Sequence, residues 1–574
     1  MKIRMLFTVV VLLLIPLTGP IAVGARQGGP ITKQAISFNV VEASISDMQA
    51  ALASGRVTSR DLVAAYMSRI AQYEGTLNAV ININMNAYSE ADDLDRERAQ
   101  GKLRGPLHGI PIALKDNINT SFMPTTGGAL AFAGYTPPYD ATVARNLRSA
   151  GAIVIAKTVM TELANWVSDV MPANYSAVGG YGMNPFDPRT DPRAATNDGR
   201  PAMGTGGSSS GIGTSANLWA ASVGSETSGS ILSPSNQNML VGIKPTVGLV
   251  SRYGVIPITA DQDTAGPMAK TVTDAAIMLG AMAGPDPNDV AGSSRCTLPP
   301  NRDYTRNLKT TNLRGARIGI PRANYYSTTI NPATGASVGG LTAAQNASMN
   351  DAIAVLQREG AVIVDPANIP SIVDGTPANN FLTFGVCSGL GNVRGLDTAC
   401  SIILKYGMKR DFNAYLQSLG ASAPVKTLTE LRQYNLANRP RNAIKYDQAQ
   451  LDISDEISVE GDRARYLQDR ARDIFLAATH GIDEVMATQQ LDALLFPGSS
   501  GAGIAAKAGH PTVIVPFGMV PNAPAVAFPA GFDAKDQPYG VSFTGTACTE
   551  QRLIDLAYGF EQATKRRVAP SSAP

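Results

Sequence analysis

Two glycine- and serine-rich turns, and three lysines that close or follow apolar runs, are the residues of this chain best suited to chemistry. The first turn, GTGGSSSGIG over 204–213, carries Ser208, Ser209 and Ser210; the second, GSETSGSILSP, carries Ser230 about twenty residues on. A serine hydroxyl at such a turn attacks a carbonyl once a neighbouring base takes its proton. Gly207-Ser208-Ser209-Ser210-Gly211 matches G-x-S-x-G, the nucleophile elbow of serine esterases, with Ser209 at its centre. The elbow needs a strand directly before it and a histidine base after it, yet the preceding TNDGRPAMGTG is polar and broken by glycine and proline. The chain's histidines are His108, His480 and His510; His480 lies in a helical pattern and His510 precedes an apolar strand. A phosphate-cradling loop fails because no lysine follows the glycines and Ser209 stands where the third glycine of G-x-G-x-x-G belongs. A flexible linker fails because the sequence after 213 has an ordered texture.

A base that is not histidine would be a lysine kept neutral by burial, since desolvation disfavours the ammonium. Lys115 ends GIPIALK, Lys157 ends AGAIVIAK and Lys244 lies in GIKPT, and the residues alone do not separate them. An ion pair with the adjacent Asp116 is the competing reading of Lys115.

The elements that must position these groups alternate between strand and helix. TSRDLVAAYMSRIAQYE begins with a capping box of Thr58 and Asp61 and puts Leu62, Tyr66 and Ile70 on one helical face. LNAVININMN alternates as a strand, GIPIAL and AGAIVIA read as buried strands, and DATVARNLRSA before the second is a helix. Such alternation predicts parallel pairing in a layered α/β core. From about 325 to 490 longer helical patterns dominate, and LDALLFP and HPTVIVPFG return to strand. TEQRLIDLAYGFEQATKRR is a closing helix, capped at Thr549 and ending in cations that suit a helix C-terminus. The expectation is one domain over 26–574, with a core at about 105–290, a helical excursion at about 325–490 and a closing stretch at about 491–567.

With 574 residues, 44% hydrophobic and 16% charged, the chain can bury a large core, and a net charge of +2 leaves no electrostatic footprint for nucleic acid. MKIRMLFTVVVLLLIPLTGPIAVGA has cations at Lys2 and Arg4, an apolar run, and small residues at Val23 and Ala25. It reads as a signal peptide over 1–25, cleaved after Ala25. A membrane anchor needs roughly 20 apolar residues, and Pro16 and Pro20 interrupt this run. The protein is therefore expected to be exported, periplasmic or secreted, with no stable membrane span after processing. In an oxidising compartment Cys387 and Cys400, close in sequence, could pair, while Cys296 and Cys548 have no pairing that sequence fixes. No C-x-x-C spacing suggests a metal site.

In order along the chain, GPLHGIPIALKDNI, AGAIVIAKTVMTELAN, GGSSSG, GSETSGSI, VGIKPTVGLVSRYGVIPI, DQDTAGPMAKTVTDAA and PYGVSFTG resemble the amidase signature family. That family hydrolyses carboxylic amides with a Ser-cisSer-Lys triad. The resemblance covers about 43–567 and is weakest over 325–490. It implies an α/β amidase-signature fold: layered α/β/α, with a central mixed, mostly parallel sheet covered by helices. It also implies Lys115 as base, Ser208 as the bridging serine after a cis peptide, and Ser230 as the nucleophile that forms an acyl-enzyme. The oxyanion hole would be the backbone N–H groups of Thr227, Ser228, Gly229 and Ser230. Ser228 in place of the usual glycine, and Glu226 in place of the commoner aspartate, resemble the branch of peptide amidases and aryl acylamidases. The segment between Ser208 and Ser230 is a couple of residues shorter than usual and is expected to be helical. No cofactor or metal is implied. The expected partner is a small-molecule or short-peptide amide, and the chain a monomer or homodimer. The alternatives are a serine esterase built on the Ser209 elbow and a non-catalytic amidase-like binding protein.

Overall fold

The computed structural model describes residues 38–289 and 296–574; the expected signal peptide and its cleavage point lie outside the described residues. Eleven strands form one sheet: β1 (Val80–Ile83), β2 (Pro111–Lys115), β3 (Ile153–Thr158), β4 (Ala221–Glu226), β5 (Val241–Lys244), β6 (Thr264–Ala269), β7 (Arg317–Gly319), β8 (Val362–Val364), β9 (Ala493–Pro497), β10 (Thr512–Val520) and β11 (Gln537–Thr544). Their spatial order is β1-β3-β2-β4-β6-β5-β10-β11-β9-β7-β8. Strands from both ends of the sequence thus share one sheet.

The α/β class holds, but the sheet is not mostly parallel. Only β3-β2, β2-β4, β9-β7 and β7-β8 run parallel. The other six neighbours, from β1-β3 at one edge to β11-β9, are antiparallel. A parallel pair needs a crossover on the sheet face, and helix Thr142–Ser149 supplies one between β2 and β3. From β4 through β6, β5, β10 and β11 to β9 direction alternates, and parallel pairing returns only at β9-β7 and β7-β8.

Local signals hold where a side chain can satisfy them alone. Helix Ser59–Leu77 starts at the Thr58 and Asp61 capping box and buries Leu62, Tyr66 and Ile70. β2 and β3 are buried at every position, as continuous apolar runs between neighbours on both sides should be. Thr549 does not cap the closing helix, Glu550–Thr564. Its backbone is already near-helical (φ −100°, ψ 17°) and its hydroxyl donates backward to Thr546 O at 2.7 Å. The segment after Ser208 is only partly helical: helix Ser209–Ser215 stops, Asn217 turns at φ 56°, and the chain extends as β4. Among the described residues, disulfides join Cys387 to Cys400 and Cys296 to Cys548, and no helix is long and apolar enough to cross a membrane.

Candidate active site

Lys115 ends β2, the parallel strand between β3 and β4. Its side chain is fully buried and donates to Ser225 O at 3.0 Å and Ser225 Oγ at 3.1 Å. Asn117 Nδ2 donates to the same Ser225 Oγ at 2.9 Å. Among the described residues no carboxylate lies within ion-pair distance of Lys115, and burial pushes its ammonium down to about 8 against the weaker pull of Glu226 and Asp263.

The ion pair with Asp116 does not form. Asp116 is the first residue of the turn after β2 and faces Lys157, with Nζ 3.5 Å from Oδ1 and both side chains buried. Lys157 also donates to Thr125 Oγ1 at 2.7 Å. Lys244 spends its donors on the backbone carbonyls of His510 and of Ala505, the latter at 3.4 Å. Of the three lysines, Lys115 is the one facing a side-chain hydroxyl beside the serine turns, with no anion in contact.

Ser208 is buried and sits at the N-terminus of helix Ser209–Ser215, its Oγ accepting from Ser210 N at 3.1 Å. A lone bridge joins Ser208 to Met160, beyond β3, where Thr161 N donates to Gly207 O at 3.3 Å. The Gly207–Ser208 peptide that enters this bridge is trans; the cis peptide among the described residues is Asp365–Pro366. The expected cis geometry at Ser208 is therefore not present. No hydrogen bond joins Ser208 to Lys115 or to Ser230 among the described residues. The turn that carries Ser208 nonetheless packs against Ser230, because a Cβ placed on Gly207 would stand 3.0 Å from Ser230 Oγ. Glycine at 207 is what lets the two turns approach.

Ser230 is half-buried at the end of a loop pinned at both ends. Glu226 Oε2 accepts from Ile231 N at 2.8 Å and Leu232 N at 2.9 Å, closing the loop onto helix Leu232–Gln237. Gly229 takes φ 86°, a left-handed turn that suits glycine. Among the described residues, no hydrogen bond of the chain takes up the backbone N–H groups of Thr227, Ser228, Gly229 or Ser230. Ser228, in the middle of that row, is exposed.

The same geometry disposes of the Ser209 elbow. Ser209 is buried and its Oγ accepts from Asn174 Nδ2 at 2.9 Å. The histidines are committed elsewhere: His108 to Leu94 O, His480 to Glu484 and Asp374, and His510 to Asp483.

Beside Ser225 and Thr227 opens a cavity of about 420 Å³, walled by Tyr253, Ile256, Ile258 and Tyr415 and bearing Asn117, Arg252 and Asp263 among its polar groups. Arg252 is matched by Asp289 at 2.8 Å. Burial pushes the Asp263 carboxyl up to about 7. Asn117, Ser225 and Asp263 do not stand out in the sequence, though each lies within one of its motifs. Their roles depend on strand register, which those motifs do not carry.

The family model described as Amidase matches residues 61–554. A probable amidase of Arabidopsis thaliana is 33% identical over 538 residues, covering 93% of this chain and 92% of that protein. A glutamyl-tRNA(Gln) amidotransferase polypeptide of Thermosynechococcus vestitus is 30% identical over 538 residues, covering 91% of this chain and 98% of that protein. Among solved structures, the native peptide amidase of Stenotrophomonas maltophilia is 36% identical, covers 93% of this chain and 99% of its own, and superposes with a TM-score of 0.76.

Proposed function

Taking as premise that the chain belongs to the amidase family, whose members are amide-hydrolysing enzymes, we propose that Ser230 is its nucleophile and Lys115 its base. The observation that carries this reading is a buried lysine with hydroxyl and carbonyl partners and no carboxylate, beside a loop of unpaired N–H groups. Neutral Lys115 takes a proton, Ser230 Oγ attacks the amide carbonyl, and the tetrahedral oxyanion is held by the N–H groups of 227–230. One such donor is worth about 3–4 kcal/mol of barrier. Lys115 returns the proton to the leaving amine, and water then hydrolyses the acyl-enzyme.

Ser208 relays the proton in this reading, which requires its hydroxyl to leave Ser210 N. A second route is favoured by one observation, the 3.1 Å contact of Lys115 with Ser225 Oγ. Ser208→Ala and Ser225→Ala decide between them: the relay serine is the one whose loss lowers kcat by orders of magnitude at unchanged KM.

Peptide amides or aryl amides are the substrates that fit a mixed apolar and polar cavity of this size. An exported enzyme would suit the same choice, since a tRNA-linked substrate is cytoplasmic. Two disulfides are consistent with an oxidising compartment. N-terminal sequencing of secreted protein is expected to start near Arg26; uncleaved protein in the membrane fraction would contradict export. Ammonia release from a peptide amide and aniline release from an acyl anilide test the substrate class. Turnover of a simple ester with neither amide turned over would contradict the reading.

A further inference from the structure

The row of N–H groups beside Ser230 is useful only if its loop is rigid, and the loop's first residue is held by a group outside it. Thr227 Oγ1 donates a short hydrogen bond to Asp263 Oδ1. The other oxygen, Asp263 Oδ2, accepts from Ile258 N at 2.8 Å and Thr259 N at 2.9 Å. Gln262 Nε2 holds the Thr227 carbonyl at 3.3 Å. Asp263 and Gln262 stand opposite Thr227 because the antiparallel β4-β6 register pairs Glu226 with Thr264.

The carboxylate therefore clamps two separate segments. One is the loop that carries the oxyanion donors; the other, at Ile258, is a wall of the cavity where the acyl group would lie. The pocket's other carboxylates are already committed, Asp289 to Arg252 and Asp411 to Arg410. No cation lies within ion-pair distance of Asp263 among the described residues, so its grip consists of hydrogen bonds from three donors in fixed directions.

We infer that Asp263 is a positioning residue that aligns the oxyanion loop through the Thr227 hydroxyl and ties that alignment to the wall of the acyl cavity. This rests on the amide-hydrolysis reading. It predicts that losing the clamp weakens binding of the tetrahedral state more than binding of the planar substrate, because the loop donors serve the oxyanion. The neutral amide of asparagine can keep the grip, with Oδ1 accepting the two N–H groups and Nδ2 donating to Thr227 Oγ1. Alanine cannot.

The test is a double-mutant cycle on kcat and KM for ammonia release from Nα-acetyl-phenylalaninamide, with inhibition by Nα-acetyl-phenylalaninal, whose hemiacetal with Ser230 carries the oxyanion. Thr227→Val removes the hydroxyl with little change of shape, so it should fold even if Asp263→Ala does not. The expected result is a kcat about tenfold lower for Thr227→Val, a KM within about twofold, and aldehyde inhibition weakened in step with kcat. Asp263→Ala should lose at least as much, Asp263→Asn much less, and the Thr227→Val/Asp263→Ala pair no more than Asp263→Ala alone. Wild-type kcat and aldehyde affinity in Thr227→Val would overturn the inference, as would losses that multiply in the double variant. An aldehyde that fails to inhibit the wild type would instead count against Ser230 and its oxyanion loop, a separate failure.

Discussion

The mechanism stands or falls on the charge of one lysine, and the structure gives that charge a pH scale. Lys115 has an ordinary value of 10.5, brought to about 8 by burial. At pH 7 a lysine at 10.5 is neutral about three times in ten thousand, whereas one at 8 is neutral about one time in ten. Burial thus raises the working fraction by two orders of magnitude or more. The active form is the deprotonated one, so kcat/KM for ammonia release should fall about tenfold per unit below pH 8 and level off above it. The assay is kcat/KM for Nα-acetyl-phenylalaninamide from pH 5.5 to 9.5 at constant ionic strength. Asp263 is also pushed toward neutrality, to about 7, so the profile must be repeated in Asp263→Asn. A limb near 8 that survives there belongs to Lys115; a limb that vanishes refutes the assignment. Lys115→Arg should be inactive, because a guanidinium does not deprotonate in this range. Near-wild-type turnover by that variant would mean that position 115 supplies a fixed positive charge and that the base lies elsewhere.

Other consequences are independent of that profile. A serine-directed phosphonate should label the peptide spanning TSGSI in the wild type and nothing in Ser230→Ala; an adduct on Ser209 would revive the esterase reading. Glu226→Ala frees two N–H groups that close the nucleophile loop, and should lower kcat at least tenfold with the fold intact by circular dichroism. Asp116→Ala strips the buried Lys157 of its carboxylate, and should cost about 3–5 kcal/mol of stability in urea unfolding. Replacing Cys387 and Cys400 together by alanine opens a loop whose ends lie 13 residues apart. The loss should be about 3 kcal/mol, read as faster proteolysis between 387 and 400.

How far the sequence could be read depended on the reach of each interaction. Thr58 and Asp61 cap their helix using atoms three residues apart, and the motif alone predicts the result. Thr549 has the right side chain, but its backbone conformation turns the hydroxyl back to Thr546 O, and a residue type cannot announce that. β2 and β3 announce themselves as apolar runs, yet the direction of their partners across the sheet is a property of chain return and not of composition. The antiparallel neighbours were hidden for that reason.

The same distinction governs the site. Lys115 and Asp116 are adjacent, and adjacency suggested a pair; the strand ends between them, Lys115 faces Ser225, and Lys157 from β3 takes the aspartate in the turn. That transfer leaves Lys115 without an ion-pair partner among the described residues, with Glu226 and Asp263 acting on it only from a distance. Its hydroxyl partner follows from the sheet as well. β2 runs parallel beside β4, with Leu114 opposite Val223, so the end of β2 meets the carbonyl and hydroxyl of Ser225. Ser208 reaches the site by another path, through its bridge to Met160 beyond β3. The family resemblance implied Lys115, Ser208 and Ser230 as a set, because each lies in one of the motifs that carry it. Which serine answers the lysine is decided by register between strands about a hundred residues apart, and that is why Ser225 rather than Ser208 holds Lys115 in this structure.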